Sequence, residues 1–374
     1  WHEYLAENET VLVVDIGGGT TDFSIIEFDV NRTLRRTAVG EHLLLGGDNI
    51  DMALAHEIEA GWDVRLSARE WSMLCQQCRR AKERMLQPAA PERVEVAISG
   101  RGSSIVASTR SGVLSHDRLI SILFEGFFPV LPADAPGPVQ RAGVQELGLP
   151  YAADPAVTKQ LLAFLRMAAG EKADNPDSPM LKPSHILFNG NCLSPRILRD
   201  RIAKTLGRWQ GRRQAIPALE SVDLQLAVCR GAAYYGLVRR GQGVRVRGGV
   251  ARAYYLEVTG DNDSDLLCVM PREKEEGESV ELKDHVFELV TNVPVRFPLY
   301  SSATRLHDRA GDVVGERDEV SEMPPLQTVV TYGKGQQQRV NVELAAQLNE
   351  VGTLDIWCAT SDGAHHYPLR FDLR

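Results

Sequence analysis

The chain has 374 residues, of which 43% are hydrophobic and 25% are charged, a composition typical of a globular protein with two or three domains. Its formal net charge of −8 argues against the basic surface that a general nucleic-acid-binding protein needs. No apolar run reaches membrane-spanning length and no signal peptide opens the sequence, so we expect neither a nucleic acid nor a membrane as a partner. The six cysteines are scattered as free thiols of a reducing compartment would be, which predicts a cytoplasmic protein.

The first predicted element is a β-hairpin with a glycine-rich tip. An apolar run ends at the tip, and apolar alternation resumes after it. The candidate binding residues are Asp15, Gly17, Gly18, Gly19, Thr20, Thr21 and Asp22. Glycines can take positive φ and leave N–H groups free to wrap a phosphate chain. Asp15 is placed to hold a Mg²⁺-bound water, and the Thr20 hydroxyl to face a terminal phosphate. The alternative is a hairpin turn without a ligand.

A glycine pair opens the first predicted helix. A third strand is predicted at 34–39, and Gly46 and Gly47 then precede apolar residues at helical spacing, with Asp48 or Asn49 as the N-cap. By residue type and spacing alone, the pair marks the start of a capped helix.

A long amphipathic helix is predicted from Ser67 to about Leu86. Ser67 and Glu70 have the spacing of a capping box. Cys75 and Cys78 form a C-x-x-C pair, but the helical pattern and the lack of a second pair argue against a zinc or redox site.

The chain then alternates strands and helices up to residue 241. The predicted elements are strands 94–98 and 104–108, a helix at 115–128, a loop-rich insertion at about 129–183 with a helix from 154, strand 185–189, a helix at 196–206 capped by Ser194 before Pro195, and a small-residue helix at 227–236. Gly190 lies in the small-residue turn after the strand. The last helix is expected to pack closely because its residues are small.

Strand patterns replace helices after 241–243. They occupy 253–258, 266–269, 286–291, 295–299, 328–332, 340–344, 353–358 and 368–373, with a proline-proline turn at 323–326. Short strands separated by turns predict an antiparallel β-sandwich at 245–374.

The hairpin resembles the second phosphate-binding hairpin of the actin/hexokinase/heat-shock ATPase superfamily. Its sequence is most similar to that of the seventy-kilodalton heat-shock (DnaK-type) chaperones. The segment 44–51 resembles the family's L-G-G-x-x-x-D stretch, and 189–195 resembles its adenosine motif G-G-S-x-x-x-P. The segment 245–374 resembles the chaperone peptide-binding sandwich, although a generic sandwich is the alternative. The resemblance implies an α/β fold, the ribonuclease H-like second lobe of an actin-type ATPase at 1–241 with a small outer subdomain at about 46–128, followed by an all-β sandwich.

Several positions depart from the family pattern. Lys82 falls on the lysine with which the family grips the adenosine, but Arg79 replaces a glutamate and Leu86 a serine. The remaining replacements are Asn189 for a glycine, Asn191 for a serine and Leu193 for an arginine that stacks on the adenine. These replacements remove side chains with which the family holds the nucleotide, while Gly190 and Pro195 of the motif are kept.

By this resemblance the chain is a C-terminal portion of a chaperone that binds ATP or ADP with Mg²⁺. The implied ligand-binding residues are those of the hairpin tip with Gly46, Gly47, Lys82 and Gly190. Unfolded or extended polypeptide clients and co-chaperones are the implied partners. Without the first lobe, no catalytic residue is expected here, and ATP hydrolysis is expected only of the full-length protein. The alternatives are an actin-fold small-molecule kinase and an ATP-sensing structural or scaffold protein, both disfavoured by the appended β-domain.

Overall fold

The computed structural model describes residues 5–30, 33–62, 65–99, 109–138, 154–171, 180–221, 223–250, 252–258, 265–272, 274–275, 277–302, 305, 308–315, 317, 319–330, 336–349, 354–360 and 365–371. The chain divides into two compact units, Trp1–Arg245 and Val246–Arg374. The fold is mixed α/β with several antiparallel strand pairings.

The first unit alternates strands and helices. Its elements are β1 (Thr10–Ile16), β2 (Thr21–Phe28), β3 (Leu34–Val39), α1 (Gly47–Glu59), α2 (Ala68–Met85), β4 (Arg93–Ser99), β5 (Thr109–Ser115), α3 (His116–Ser121), a π-helical turn (Ile122–Phe127), α4 (Val157–Glu171), β6 (His185–Asn189), a 3₁₀ turn (Asn191–Leu193), α5 (Arg196–Trp209), β7 (Ala218–Leu219) and α6 (Ala227–Val238). Among the described helices, none is long and apolar enough to cross a membrane.

The main sheet of this unit has the strand order β7-β6-β1-β2-β3. β1 and β2 form the predicted antiparallel hairpin, while β6 lies parallel to β1 with Asn189 opposite Asp15. Because parallel strands end at the same edge of a sheet, the hairpin tip and the turn after β6 lie together.

α1 packs on α2, which also packs on β4, and apolar side chains such as Leu54, Leu74 and Met85 are fully buried. The capping box of α2 is confirmed, because Ser67 N–H donates to Glu70 Oε2 at 3.0 Å and Glu70 N–H donates back to Ser67 Oγ at 3.4 Å. The predicted cap of α1 was wrong. Gly46 is the N-cap, and its N–H donates to Asn49 Oδ1 at 2.8 Å.

Three further predictions in this unit concern a strand, a helix cap and the packing of a helix. The strand that pairs with β4 is Thr109–Ser115, whereas the predicted strand 104–108 lies outside the described residues. The predicted cap Ser194 is instead the residue before Pro195, the N-cap of α5. Contrary to the expectation of close packing, α6 contains no buried residue, and Val228 is 77% exposed.

The second unit is built from strands. They are β8 (Val246–Arg247), β9 (Ala253–Val258), β10 (Asp265–Met270), β11 (Ser279–Val290), β12 (Pro294–Ser302), β13 (Val313–Val314), β14 (Ser321–Val329), β15 (Arg339–Leu348), β16 (Leu354–Thr360) and β17 (His366–Phe371). One antiparallel sheet has the order β13-β10-β9-β12-β14 and another has the order β11-β15-β16-β17. Both contribute to one core, in which Leu256 and Val269 of the first sheet pack with Leu344 and Ile356 of the second.

Two boundaries in the second unit differ from the sequence prediction. The proline-proline segment at 323–326 was predicted as a turn, but it lies inside β14 and pairs with β12. A strand at the edge of a sheet tolerates proline because one row of its N–H groups is not needed for pairing. β11 also begins seven residues earlier than predicted, at Ser279.

Candidate functional site

The hairpin tip presents unpaired backbone donors. Gly17 N–H closes the turn on the Thr20 carbonyl at 2.9 Å. Gly18 and Gly19 are exposed, and within the described part of the chain their N–H groups have no hydrogen-bond partner. None of the three glycines has positive φ, so the expected left-handed backbone was wrong. The tip can therefore offer donors to an anion without backbone strain.

The start of α1 packs directly on this tip. Gly47 N–H donates to the Gly17 carbonyl at 3.0 Å, and Asp48 N–H donates to the Gly18 carbonyl at 2.7 Å. A Cβ at Gly46 would lie 2.5 Å from the Gly18 carbonyl oxygen, which explains why glycine stands there. The hairpin carbonyls thus accept hydrogen bonds from the first N–H groups of the helix. The glycine pair allows the two segments to lie in close contact.

Asp15 is held from the neighbouring strand. Asn189 Nδ2 donates to Asp15 Oδ2 at 2.7 Å. Burial raises the pKa of Asp15, the Asn189 hydrogen bond opposes that shift, and Asp22 across the hairpin adds to it. Gly190 has φ +83°, and a Cβ there would lie 2.2 Å from the Ile16 carbonyl oxygen. Asn189, treated in the sequence only as a departure from the family motif, is the partner of Asp15.

Lys82 is buried on the wall next to the glycine pair. Its Nζ lies 2.6 Å from Asp51 Oδ1 and donates to the Gly47 carbonyl at 3.0 Å. Burial raises the pKa of Asp51, and the charge of Lys82 opposes that rise. The ammonium group therefore ties α2 to the start of α1, and its charge is neutralised within the protein.

These segments line one pocket with a cavity volume of about 180 Å³. Gly17, Gly18, Gly47 and Asp48 line it. The apolar wall consists of Ile50, Leu86, Leu123, Leu198 and Pro195. Polar groups come from Arg79, Glu83, Asn191, Ser194 and Gln225. The lining thus combines apolar side chains with polar and charged groups, as the walls of small-molecule sites do.

The positions that depart from the family pattern lie in different surroundings. Arg79 and Leu86 line the pocket, as does Asn191, whose Oδ1 accepts a hydrogen bond from Ser194 Oγ at 2.8 Å. Leu193 is fully buried in the core. Cys192 also lines the pocket, and burial raises the pKa of its thiol to about 11, so the sulfur stays protonated at neutral pH.

Residues 3–101 match the family model described as Hsp70 protein. The match covers roughly a quarter of the chain. It includes the hairpin, the glycine pair, α1 and α2, and it ends near the end of β4. The chain is therefore similar to Hsp70 over the segment that contains the hairpin tip and the glycine pair.

Within the segment similar to Hsp70, not every predicted residue faces the pocket. The Thr21 side chain is buried, and its hydroxyl donates to the Leu45 carbonyl at 2.6 Å. Asp22 lies 2.7 Å from His42 Nδ1 on the exposed side of the hairpin. The structure thus brings Gly17, Gly18, Gly47 and Lys82 to the pocket, while Thr21 stabilises the hairpin against the following loop.

The role of Asp51 in the site was not predicted from the sequence. A carboxylate four residues after a glycine pair, on the buried face of an amphipathic helix, was the available signal. Its partner Lys82 is 31 residues further along the chain, and only the packing of α1 on α2 joins them.

Proposed function

We propose that the first unit binds ATP or ADP with Mg²⁺ in this pocket, as the nucleotide-binding second lobe of a chaperone related to Hsp70. The observation that carries the proposal is the pair of N–H donors of Gly18 and Gly19, unpartnered within the described residues, at a tip whose Gly18 lines the cavity. Backbone donors suit a phosphate chain, and the apolar side chains of the lining suit a flat base. The Hsp70 match over residues 3–101 supports the same assignment.

The residues present fit a nucleotide and its magnesium ion. The half-buried carboxylate of Asp15, kept in place by Asn189, is suited to accept from a water of Mg²⁺. No group of three or more His, Cys, Asp or Glu side chains that could hold a metal occurs among the described residues, so we expect Mg²⁺ to be held mostly by water and phosphate. Bound ATP would supply the phosphoanhydride bond that an ATPase hydrolyses.

We further propose that the segment 245–374 is a sandwich that binds extended apolar stretches of unfolded polypeptides. Two antiparallel sheets around a common core support a sandwich, and such sheets offer backbone hydrogen bonds to an extended peptide. The client role depends on the family resemblance. Co-chaperone partners and a cytoplasmic location belong to the same proposal, the latter supported by six free cysteines.

Calorimetry of the full chain with ADP and Mg²⁺ tests the nucleotide site. A Cβ at Gly18 would be 3.6 Å from Asp48 Oδ1, an ordinary contact, so Gly18→Ala is expected to fold normally. Gly18→Val puts a branched side chain over the donors and is expected to weaken ADP binding about tenfold or more, with Gly18→Ala between it and wild type. Unchanged ADP affinity in a Gly18→Val protein of normal melting temperature would refute the site.

Fluorescence anisotropy of the full chain with leucine-rich and polar peptides tests the client role. We expect binding that increases with apolar content. Equal, negligible binding of every peptide would contradict the client role and would leave the second unit only a structural role.

A further inference from the structure

Arg79 lines the pocket and lies close to two acidic side chains. Its Nε donates to Glu83 Oε1 at 3.2 Å, and its Nη1 lies 3.8 Å from Asp48 Oδ1. All three side chains are about half exposed. Ion pairs between exposed side chains are weak, so the guanidinium group can leave Asp48 at little cost.

Asp48 places a negative charge beside the donors of the tip. Its carboxylate oxygens lie 3.6–4.0 Å from where a Cβ would stand on Gly18 or Gly19. An anion bound to the N–H groups of those glycines would therefore meet a carboxylate, and an unscreened like charge at such a distance opposes binding. A compensating cation is needed at this position.

Two cations line the described pocket, and only one of them is available. Lys82 is buried against Asp51 and the Gly47 carbonyl, so its charge is already balanced. Arg79, by contrast, is exposed and already reaches the carboxylate next to the tip. Its planar fork of donors matches the oxygens of a phosphate group.

We propose that Arg79 leaves Asp48 to bind a phosphate group of the ligand and so makes binding depend on the ligand's phosphate. The ligand class is then a nucleotide that carries at least one phosphate, not a nucleoside. This inference rests on the proposed nucleotide site and adds a specificity-determining residue to it.

The test compares adenosine, AMP and ADP on the full chain by calorimetry, for wild type, Arg79→Gln and Arg80→Gln. Arg80 is the neighbouring exposed arginine of α2, outside the pocket lining, so its variant carries the same change in charge and serves as the control. Arg79→Gln is expected to weaken ADP binding about tenfold and adenosine binding less than twofold, because a charge-assisted hydrogen bond to phosphate is lost. Arg80→Gln is expected to change neither by more than about twofold, and Arg79→Lys to recover part of the ADP affinity.

The outcomes separate this inference from the proposed function. ADP binding by wild type that Arg79→Gln leaves unchanged, or an equal loss for ADP and adenosine, overturns the role of Arg79 and leaves the nucleotide site standing. Wild type that binds no ADP overturns both.

Discussion

At the scale of single residues, the site depends on close backbone contacts and on one buried ion pair. Gly46 lets α1 approach the hairpin carbonyls, and Gly190 lets the turn after β6 approach β1. Lys82 and Asp51 join α2 to α1 directly behind the glycine pair. Each of these residues stabilises the shape of the pocket, independently of any ligand.

Gly46→Ala is expected to destabilise the first unit by about 1–3 kcal/mol, because the added Cβ would stand 2.5 Å from the Gly18 carbonyl and force the backbone to shift. The matched control is Gly231→Ala in α6, where no atom lies within 4 Å of the added Cβ. That control is expected to be neutral or slightly stabilising, since alanine favours helix more than glycine does. Urea unfolding followed by circular dichroism measures both, and equal effects of the two substitutions would contradict the packing argument.

Lys82→Met is expected to cost about 3–5 kcal/mol of unfolding free energy at neutral pH, because it leaves Asp51 buried without its cation. The pKa of Asp51 is already raised in the folded state by burial, and removal of Lys82 raises it further. A carboxyl with a raised folded-state pKa favours folding when protonated and loses that contribution as the pH rises through the folded-state pKa. The loss in Lys82→Met is therefore larger at pH 7 than at pH 5.

The double variant Asp51→Asn with Lys82→Met removes both charges and is the control. It is expected to regain much of the lost stability, as replacements of whole buried pairs often do. Urea unfolding at both pH values gives the comparison, and a pH-independent loss in the single variant would show that Asp51 is not the cause.

At the scale of elements, α2 positions several side chains of the pocket wall. Ser67 begins the helix, and its partner Glu70 also accepts from Arg110 Nη1 of β5 at 2.9 Å. Hydrogen bonds from Ser67 are the largest cause that lowers the pKa of Glu70 to about 2. By contrast, α6 has no buried residue within the described part of the chain.

Ser67→Ala is expected to lower the stability of the first unit by about 1 kcal/mol, the usual cost of removing a helix N-cap. Ser72→Ala, an exposed change inside the same helix, is the control and is expected to be neutral or slightly stabilising. Thermal unfolding at pH 7 measures the difference. If both variants melt at the same temperature, the cap does not stabilise α2.

At the scale of the whole molecule, the chain changes from mixed α/β to all-β at the boundary between Arg245 and Val246. Gly241, Gly243 and Gly249 all have positive φ, and Arg245 and Arg247 are exposed. Boundaries between compact units commonly fall in such glycine-containing exposed segments.

Limited trypsin digestion is therefore expected to cut first at 239–247 and to produce fragments that correspond to the two units. Mass spectrometry of the earliest products identifies the cut. As a control, Arg245→Gln with Arg247→Gln should slow that cleavage. Earliest cuts inside either unit would contradict separable units.

Much of the fold could be predicted from the sequence because its signals are local. The apolar run before the glycines specified β1, the alternating apolar residues after them specified β2, and the Ser67–Glu70 spacing specified the start of α2. Predictions failed where contacts with other elements of the fold determine the local structure. The prolines of β14 read as a turn in isolation, yet pairing with β12 holds them in a strand. The small residues of α6 predicted close packing, but no described residue buries them.

For the candidate site, the glycine-rich tip, the glycine pair and the position of Lys82 on a helix could all be predicted from the amino acids, since they depend on residue type and short spacing. What the side chains contact depends on the packing of elements that are distant in the chain. That packing paired Lys82 with Asp51 and Asn189 with Asp15, and it turned Thr21 away from the pocket. These contacts join positions between 24 and 174 residues apart in the chain, and no local pattern encodes a distance of that kind. Parallel pairing of β6 with β1 and the packing of α2 on α1 bring those positions together.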